Sequence, residues 1–203
     1  SSVLSPYLVL TRERTDMDIL LLGPPGAGKG TQGTLLAERL GLPKFATGDL
    51  LRDAVKRATP VGLKAKAVME AGHLVNDEII MGVVRDELAK PEAGKGVIFD
   101  GVVRTVPQAE GVTALLAEKG RKIDFALFFD VSDAEILGRL AKRRTLEHRA
   151  DDDPKAVATR LEAYRAQTAP VLDWYRKNGS LHTIQAVGSV QEIADRVRGV
   201  LGK

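Results

Sequence analysis

The sequence predicts an α/β fold in three layers, in which helices cover both faces of a five-stranded parallel sheet. Two observations lead to this class. Short apolar runs with the length and residue types of buried strands alternate with segments of helical periodicity, and a glycine-rich turn directly follows the first apolar run. Strands that alternate with helices form parallel sheets, and such sheets bind ligands at the carboxyl ends of their strands.

The predicted elements follow one another in regular order along the chain. The predicted strands are residues 18–22, 97–99, 125–129 and 181–184, with 43–46 as a weaker fifth. The helical patterns, several with Asp, Ser or Pro near the start, cover about residues 29–40, 107–119, 133–143, 154–177 and 190–201. The glycine-rich turn, Asp100 and Asp130 therefore fall at carboxyl ends of strands, where the binding site is expected.

Two segments interrupt the alternation, and we interpret both as excursions from a single core. Residues 47–75 hold short helical pieces broken at 59–60 and at Gly72, and residues 144–153 form a polar turn rich in Arg and Asp. The three aspartates at 151–153 are more typical of a helix N-cap before the proline that follows them than of a metal site.

The composition limits the number of domains, the kinds of cross-link and the partners that the chain can have. The chain has 203 residues, enough for one well-cored domain. Without cysteine it can form neither disulfides nor thiolate zinc sites. The 30 basic and 27 acidic residues give a net charge of only +3, so we expect no nucleic-acid partner.

Residues 1–16 do not match the rest of the chain. They are too short and interrupted for a membrane span, and they lack the basic start and cleavage site of a secretory signal. Because Met17 looks like a natural start, we interpret residues 1–16 as a tag or extension, non-native or disordered, with a targeting or partner-binding tail as the alternative. We expect the core, residues 17–203, to be cytoplasmic, with no membrane partner.

The glycine-rich turn at residues 23–31 has the features of a phosphate cradle. Its glycines let successive N–H groups face inward, and the helix that opens near Gly28 adds the positive end of its dipole. Lys29 supplies a charge for the outer phosphates, and the hydroxyl of Thr31 can approach them or a metal shell. The general P-loop pattern has Ser or Thr directly after the lysine, whereas this chain has Gly30. A turn that merely links a strand to a helix is the alternative.

Seven motifs in a fixed order extend this interpretation to most of the chain. They are GPPGAGKGT at 23–31, TGDLLR at 47–52, GHLVND at 72–77, FDG at 99–101 followed by Arg104 and by Pro107-Gln108, RLAKR at 139–143, HRADDDP at 148–154 and RLEAYRAQTAPVLDWY at 160–175. From about Met17 onward the chain thus resembles an adenylate kinase of the short-lid type. The resemblance implies a P-loop fold with a helical NMP-binding insertion at about 46–75 and a short lid at about 144–153. It also implies a monomer that uses Mg²⁺ to transfer the γ-phosphate of ATP to AMP, giving two ADP.

By the same resemblance, the phosphate cradle and two arginines hold ATP. Arg139 matches the arginine that stacks over the donor adenine, and the loop at Gly188 matches the one whose backbone meets that base. The implied ATP-binding residues are Gly26, Ala27, Gly28, Lys29, Gly30, Thr31, Arg139, Arg143 and Gly188.

The resemblance also implies a second nucleotide site. Arg52 and Arg104 match arginines that hold the phosphate of AMP, while Gln108 and Thr47 match the residues that bond and flank its adenine. UMP/CMP-type kinases usually carry an asparagine-containing sequence after the second arginine, so the run that ends in Gln108 favours AMP. The implied AMP-binding residues are Thr47, Arg52, His73, Leu74, Val75, Gly101, Arg104, Gln108, Arg149 and Arg160.

The implied reaction needs no protein nucleophile, because the acceptor phosphate attacks directly and positioning with charge neutralisation supplies the rate. Arginines suit this task since they bind phosphate bidentately and stay charged. Asp100 would anchor the water shell of Mg²⁺, which is held through phosphates and water without a certain protein ligand. No histidine needs a catalytic role. The implied catalytic residues are Lys29, Arg104, Arg143, Arg149, Arg160 and Asp100.

Residues 102–103 depart from the family pattern, which has an aromatic residue and a proline joined by a typically cis bond. A cis bond before valine costs about 2.5 to 4 kcal/mol, so we expect the Val102–Val103 bond to be trans and the hold of Arg104 on AMP to be weakened but not abolished. The alternative is a strained cis bond that surrounding contacts enforce. Two other functions stay open. One is a UMP/CMP-type kinase, and the other is a P-loop protein that binds ATP without turnover, for which a second phosphate site would have no use.

Overall fold

The computed structural model describes residues 16–202. Residues 1–15 and Lys203 lie outside this range, and with them the interpretation of the N-terminal segment as an extension.

Five strands form one parallel sheet, which confirms the predicted fold class. They are β1 (Asp18–Leu22), β2 (Lys44–Ala46), β3 (Ile98–Asp100), β4 (Ile123–Asp130) and β5 (Leu181–Gln185). Their order across the sheet is β2-β3-β1-β4-β5, and every neighbouring pair is parallel. In this register Leu21 lies opposite Asp100, so the end of β3 adjoins the loop that follows β1.

Helices connect the strands and cover the sheet. They are α1 (Lys29–Leu40), α2 (Thr47–Lys56), α3 (Pro60–Glu70), α4 (Asp77–Leu88), α5 (Val106–Ala117), α6 (Asp133–Glu147), α7 (Pro154–Ala163), α8 (Ala169–Lys177) and α9 (Val190–Leu201). Within residues 16–202, none of the helices has both the length and the apolar composition needed to cross a bilayer.

Two hydrophobic clusters pack on opposite faces of the sheet. Strand β1 contributes to both, because Leu20 and Leu22 belong to one cluster while Ile19 and Leu21 belong to the other. The first cluster joins the sheet to α4, α5 and α8, and the second joins it to α1 and α9. The strand is buried along its whole length, as expected for the centre of a parallel sheet with both faces covered.

Helix α6 is longer than the sequence predicts, and the turn that follows it is correspondingly shorter. The helix ends at Glu147 instead of about residue 143, so only residues 148–153 lie outside α6 and α7. His148 ends the helix in the left-handed conformation, at φ 51°, and Ala150–Asp152 forms one 3₁₀ turn. The sequence hides this extension because residues 144–147 are all exposed and therefore carry no apolar period.

Helix α4 is absent from the predicted helices, although its signals are present. Asn76 caps it by accepting a hydrogen bond from the N–H two residues on, at 2.7 Å. Its buried residues Ile80, Val84 and Leu88 recur every four positions. The helix predicted at residues 154–177 is two helices, α7 and α8. A π-helical turn at Tyr164–Thr168 joins them, so the helical pattern continues across the junction.

Helices α2 and α3 form a tight pair within the first excursion. Thr59 caps α3 by accepting a hydrogen bond from Gly62 N at 3.1 Å, and its hydroxyl donates to the carbonyl of Ala54 at 3.2 Å. A Cβ on Gly62 would lie 2.1 Å from that carbonyl oxygen. The two backbones therefore approach to a distance that only glycine permits.

One buried ion pair interrupts the apolar packing at the amino end of β1. Asp18 is 2% exposed, and its carboxylate accepts hydrogen bonds from Nε and Nη2 of Arg121 at 2.9 and 2.5 Å and from Val97 N at 3.1 Å. Burial raises the pKa of Asp18 above its usual value although Arg121 opposes the shift. The pair ties β1 to the loop between α5 and β4.

Candidate active site

A cavity of about 540 Å³ opens at the carboxyl ends of β1 and β3, below the two excursions. Its wall contains all but two of the residues predicted for the site. Those on the wall are Gly26, Gly28, Lys29, Gly30, Thr31, Thr47, Arg52, His73, Leu74, Val75, Asp100, Gly101, Arg104, Gln108, Arg139, Arg143, Arg149 and Arg160. The two that lie off the wall are Ala27, which is 1% exposed, and Gly188, which is in the exposed loop after β5.

The loop between β1 and α1 owes its shape to glycine. Gly26 and Gly28 have φ angles of 81° and 94°, which residues with a Cβ rarely adopt. A Cβ on Gly26 would also lie 3.0 Å from Leu140 of α6. Because α1 begins at Lys29, its first unpaired N–H groups lie at the cavity, where they can bind an anion.

The Lys29 side chain turns back over the loop that precedes it. Its Nζ donates hydrogen bonds to the carbonyls of Gly23 and Pro24 at 2.8 and 2.9 Å. Burial lowers the pKa of Lys29 to about 8; Asp100 opposes this shift, and nearby arginines, Arg104 first among them, add to it. The ammonium group is therefore held close to the loop. An incoming phosphate would stabilise its charged form.

Asp152 organises two of the predicted catalytic arginines. Its carboxylate accepts hydrogen bonds from Nε and Nη2 of Arg143 at 2.6 and 2.5 Å and from Nη1 of Arg160 at 3.1 Å. Burial raises the pKa of Asp152, but the hydrogen bonds and the charge of Arg143 lower it by more. The pKa of Asp152 therefore lies below its usual value. Of the three consecutive aspartates read as a cap, only Asp153 caps α7, accepting from Lys155 N at 3.0 Å.

Asp151, in the second excursion, faces Arg52 of the first excursion. Its backbone carbonyl accepts a hydrogen bond from Nη1 of Arg160 at 3.0 Å. Its carboxylate forms an ion pair with the same nitrogen at 3.0 Å and lies 3.9 Å from Nη1 of Arg52. The Arg52 guanidinium also pairs with Asp49 at 2.6 Å. A bound phosphate would compete with these carboxylates for the same guanidinium groups.

Arg139 holds together the two loops that would surround the donor nucleotide. Its Nη2 donates to the carbonyl of Ala186 at 2.7 Å, and its Nη1 donates to the carbonyl of Ala27 at 3.4 Å. Nε donates to Glu135 one turn earlier in α6, at 2.9 Å. These contacts fix the guanidinium at the edge of the cavity, between the glycine-rich loop and the loop after β5.

The loop after β3 places Arg104 in the cavity. Its Nε donates to the carbonyl of Gly101 at 3.0 Å, and the hydroxyl of Thr47 donates to the same carbonyl at 2.8 Å. Burial lowers the pKa of Arg104 to about 10, which leaves the guanidinium charged at neutral pH. Every peptide bond of residues 16–202 is trans, so the Val102–Val103 bond is trans, as predicted.

Gln108, at the start of α5, lies in the cavity wall with only 1% of its surface exposed. Its amide bonds to the backbone N–H of Arg104 and to the carboxylate of Asp77, each at 2.7 Å. Asp77 was not among the predicted site residues, because it precedes Gln108 by 31 positions and nothing local marks the contact.

Asp100 fits a magnesium ion that is held mainly by substrate. Among the described residues its carboxylate has no hydrogen-bond or ion-pair partner, although Lys29 is near enough to feel its charge. The described part of the chain contains no cluster of three or more His, Cys, Asp or Glu that could enclose a metal. Magnesium keeps several waters and binds through one or two carboxylates and phosphates, so Asp100 with the hydroxyl of Thr31 is a suitable donor set.

The geometry agrees with comparisons to known proteins. A family model described as adenylate kinase matches residues 21–180. The chain belongs to the adenylate kinase family. An adenylate kinase of Gemmatimonas aurantiaca is 47% identical over 91% of this chain and 99% of its own length, and one of Methylobacterium nodulans is 47% identical over 91% and 96%. The adenylate kinase of Azorhizobium caulinodans is 46% identical over 91% and 98%. The matched residues thus include both excursions and the arginines of the cavity as well as the phosphate cradle.

Proposed function

We propose that this chain catalyses the reversible transfer of the γ-phosphoryl group of ATP to AMP, giving two ADP. One observation carries the proposal. Five cationic side chains converge on a single cavity from separate elements: Lys29 from α1, Arg104 from the loop after β3, Arg143 from α6, Arg149 from the lid turn and Arg160 from α7. Phosphoryl transfer between two nucleotides gathers many negative charges at one point, and fixed cations there stabilise the transition state.

The cavity supports two nucleotide sites that meet at these cations. On the donor side we assign ATP to the glycine-rich loop, with Arg139 beside the base. On the acceptor side we assign the AMP phosphate to Arg52 and Arg104, and the base to Gln108 and Thr47. The acceptor phosphate would then face the γ-phosphate, so that attack needs positioning and charge neutralisation but no protein nucleophile.

Bound Mg²⁺ would neutralise charge on the β- and γ-phosphates, and Asp100 with Thr31 would hold its water shell. Lys29 would leave the carbonyls of Gly23 and Pro24 for the phosphates, because an anion pairs with an ammonium group more strongly than neutral carbonyls do. The lid turn, with Arg149, would exclude water and so prevent hydrolysis of ATP. We also propose that the protein acts as a monomer, because one chain supplies the whole proposed site. We place it in the cytoplasm, as expected from the sequence.

A coupled assay of ADP formation from ATP tests the proposal, with AMP, UMP, CMP and GMP compared as acceptors. AMP should give the highest kcat/KM, and a preference for UMP or CMP would contradict the assignment. Lys29→Met should retain less than about a tenth of the parent activity, because a preorganised cation contributes several kcal/mol to the transition state. Lys66→Met, at an exposed position of α3, is the matched control and should retain full activity.

A further inference from the structure

A hydrogen-bonded cluster of Asp77, Thr105 and Gln108 lies behind the acceptor side of the cavity. Asp77, the first residue of α4, accepts on Oδ1 from Gln108 Nε2 at 2.7 Å and from the Thr105 hydroxyl at 3.1 Å. On its other side, Gln108 Oε1 accepts from the backbone N–H of Arg104 at 2.7 Å. Gln108 is therefore held between a group that can only accept and a group that can only donate.

These two neighbours allow the Gln108 amide one orientation. If the amide turned over, its oxygen would face the carboxylate of Asp77 and its NH₂ group would face the N–H of Arg104. Both hydrogen bonds would be replaced by repulsive contacts, and water could not relieve them because Gln108 is 1% exposed. The Arg104 N–H belongs to the backbone and cannot be altered by substitution, whereas the side chain of Asp77 can.

The orientation decides which purine the amide can read. The Gln108 amide has two N–H donors and two oxygen lone pairs. One N–H bonds to Asp77 and one lone pair accepts from Arg104, so one N–H and one lone pair remain for a ligand. A 6-aminopurine presents an acceptor at N1 beside a donor at its amino group, whereas a 6-oxopurine presents a donor at N1 beside an acceptor at O6. The two edges are mirror patterns, so for a base held in the same position the amide that fits one edge must turn over to fit the other.

We infer that Asp77 determines specificity for the acceptor base, by locking the Gln108 amide in the orientation that pairs with a 6-aminopurine and mismatches a 6-oxopurine. The inference rests on the proposed function, since it takes Gln108 to face the acceptor base. Asp77 is a positioning residue: it is not on the cavity wall and acts through Gln108.

The test compares AMP with IMP, which differ at the 6-position of the purine and in the N1 proton that follows from it. Asp77→Asn keeps the size of the side chain but can present either oxygen or NH₂, so residue 77 no longer opposes the turned orientation of Gln108 and only the N–H of Arg104 does. We expect the ratio of kcat/KM for AMP to that for IMP to fall about tenfold, the effect of one mismatched hydrogen bond. The KM for ATP should not change.

Glu78→Gln is the matched control, because Glu78 is exposed and lies beside Asp77 in the first turn of α4. It removes the same helix-terminal charge and should leave the AMP to IMP ratio unchanged. Asp77→Ser, whose hydroxyl can also donate or accept, should lower the AMP to IMP ratio as well. It replaces Asp77→Asn in the test if that variant unfolds at the assay temperature.

The outcomes separate the two proposals. If the parent chain does not phosphorylate AMP, the proposed function fails. If it does, and folded Asp77 variants lose AMP and IMP activity equally or keep the parent ratio, the inference about Asp77 is overturned while the function stands. A ratio that falls in both Asp77 variants but not in Glu78→Gln supports it.

Discussion

Asp152 receives both hydrogen bonds of the Arg143 guanidinium fork, and its side chain is completely buried. A carboxylate in this position fixes the plane of the guanidinium before any phosphate arrives, because bidentate pairing defines orientation as well as distance. The arginine is thereby preorganised for the chemistry that we assign to the cavity.

Replacing Asp152 by Asn should therefore impair catalysis. The amide offers one oxygen and places its NH₂ group against the second N–H of Arg143, so the guanidinium loses its fixed plane. We expect kcat to fall by at least about tenfold, since small displacements of a positioning group have effects of this size. Asp153→Asn is the control, because the exposed Asp153 caps α7 and Asn caps equally well. Steady-state kinetics showing kcat for Asp152→Asn above half the parent value would contradict this role.

The titration of Lys29 should appear in the pH profile. Its pKa in the free protein is about 8, so kcat/KM for ATP should decline as the pH rises through 8, while kcat should persist to higher pH because bound phosphates stabilise the protonated lysine. Between pH 8 and the ordinary pKa of 10.5 the unfolded chain holds a proton that the folded chain has lost, so this group adds stability as the pH rises. A kcat/KM that stays constant up to pH 9.5 would show that Lys29 does not titrate as described.

The buried pair of Asp18 and Arg121 should matter far more to stability than an exposed pair. Arg121→Met leaves the Asp18 carboxylate buried without its partner, and we expect the free energy of unfolding at pH 7 to fall by about 3 kcal/mol. Arg57→Met removes a pair with Asp53 whose side chains are 65% and 56% exposed, and should cost less than about 1 kcal/mol. Urea unfolding of the two variants measures both values, and similar losses would refute the distinction.

Tyr175 offers a test of a buried polar group that lacks a partner. Its hydroxyl is buried and accepts or donates no hydrogen bond within the described residues, and burial raises the pKa of Tyr175 above its usual value. Tyr175→Phe should leave the free energy of unfolding unchanged or raise it by about 1 kcal/mol. Thr168→Val provides the contrast, because the Thr168 hydroxyl donates to the carbonyl of Arg104 at 2.7 Å, and should cost about 1 kcal/mol. A clear loss of stability in Tyr175→Phe would reveal a water bound to the hydroxyl.

The two excursions should become protected when both nucleotides bind. If residues 47–75 and 148–153 close over the substrates, their amide hydrogens should exchange more slowly in the presence of a bisubstrate analogue that joins the two nucleotides. The strands of the sheet should show no such change and serve as the internal control. Unchanged exchange in both segments would contradict closure.

The elements that the sequence predicts correctly have local signals. Strand β1 is a fully buried apolar run at the centre of the sheet, the neighbouring strand β4 contains the apolar run at 125–129, and Lys29 follows its glycines within one short loop. Both the apolar runs and the glycine-rich loop can be predicted from neighbouring residues alone. Helix boundaries are predicted less well, because the last turn of α6 faces solvent and residues there need no apolar pattern.

The partners of the site residues are not predictable in this way. Asp151, Asp152 and Asp153 look alike in the sequence, yet the first lines the cavity, the second is buried against two arginines and the third caps a helix. Asp77 meets Gln108 only because α4 and α5 pack side by side. Such pairings arise from the tertiary fold, and no spacing along the chain encodes them.

The contact between Gly62 and Ala54 has a mechanical consequence. At this point the backbone of α3 lies directly against the backbone of α2, so no side chain separates them there that could repack. If residues 47–75 move when substrates bind, the two helices would therefore move together as one rigid unit, and the backbone would bend in the links at its ends, near Ala46 and Gly72. The rate of such a movement would then depend on these links and not on repacking between the two helices.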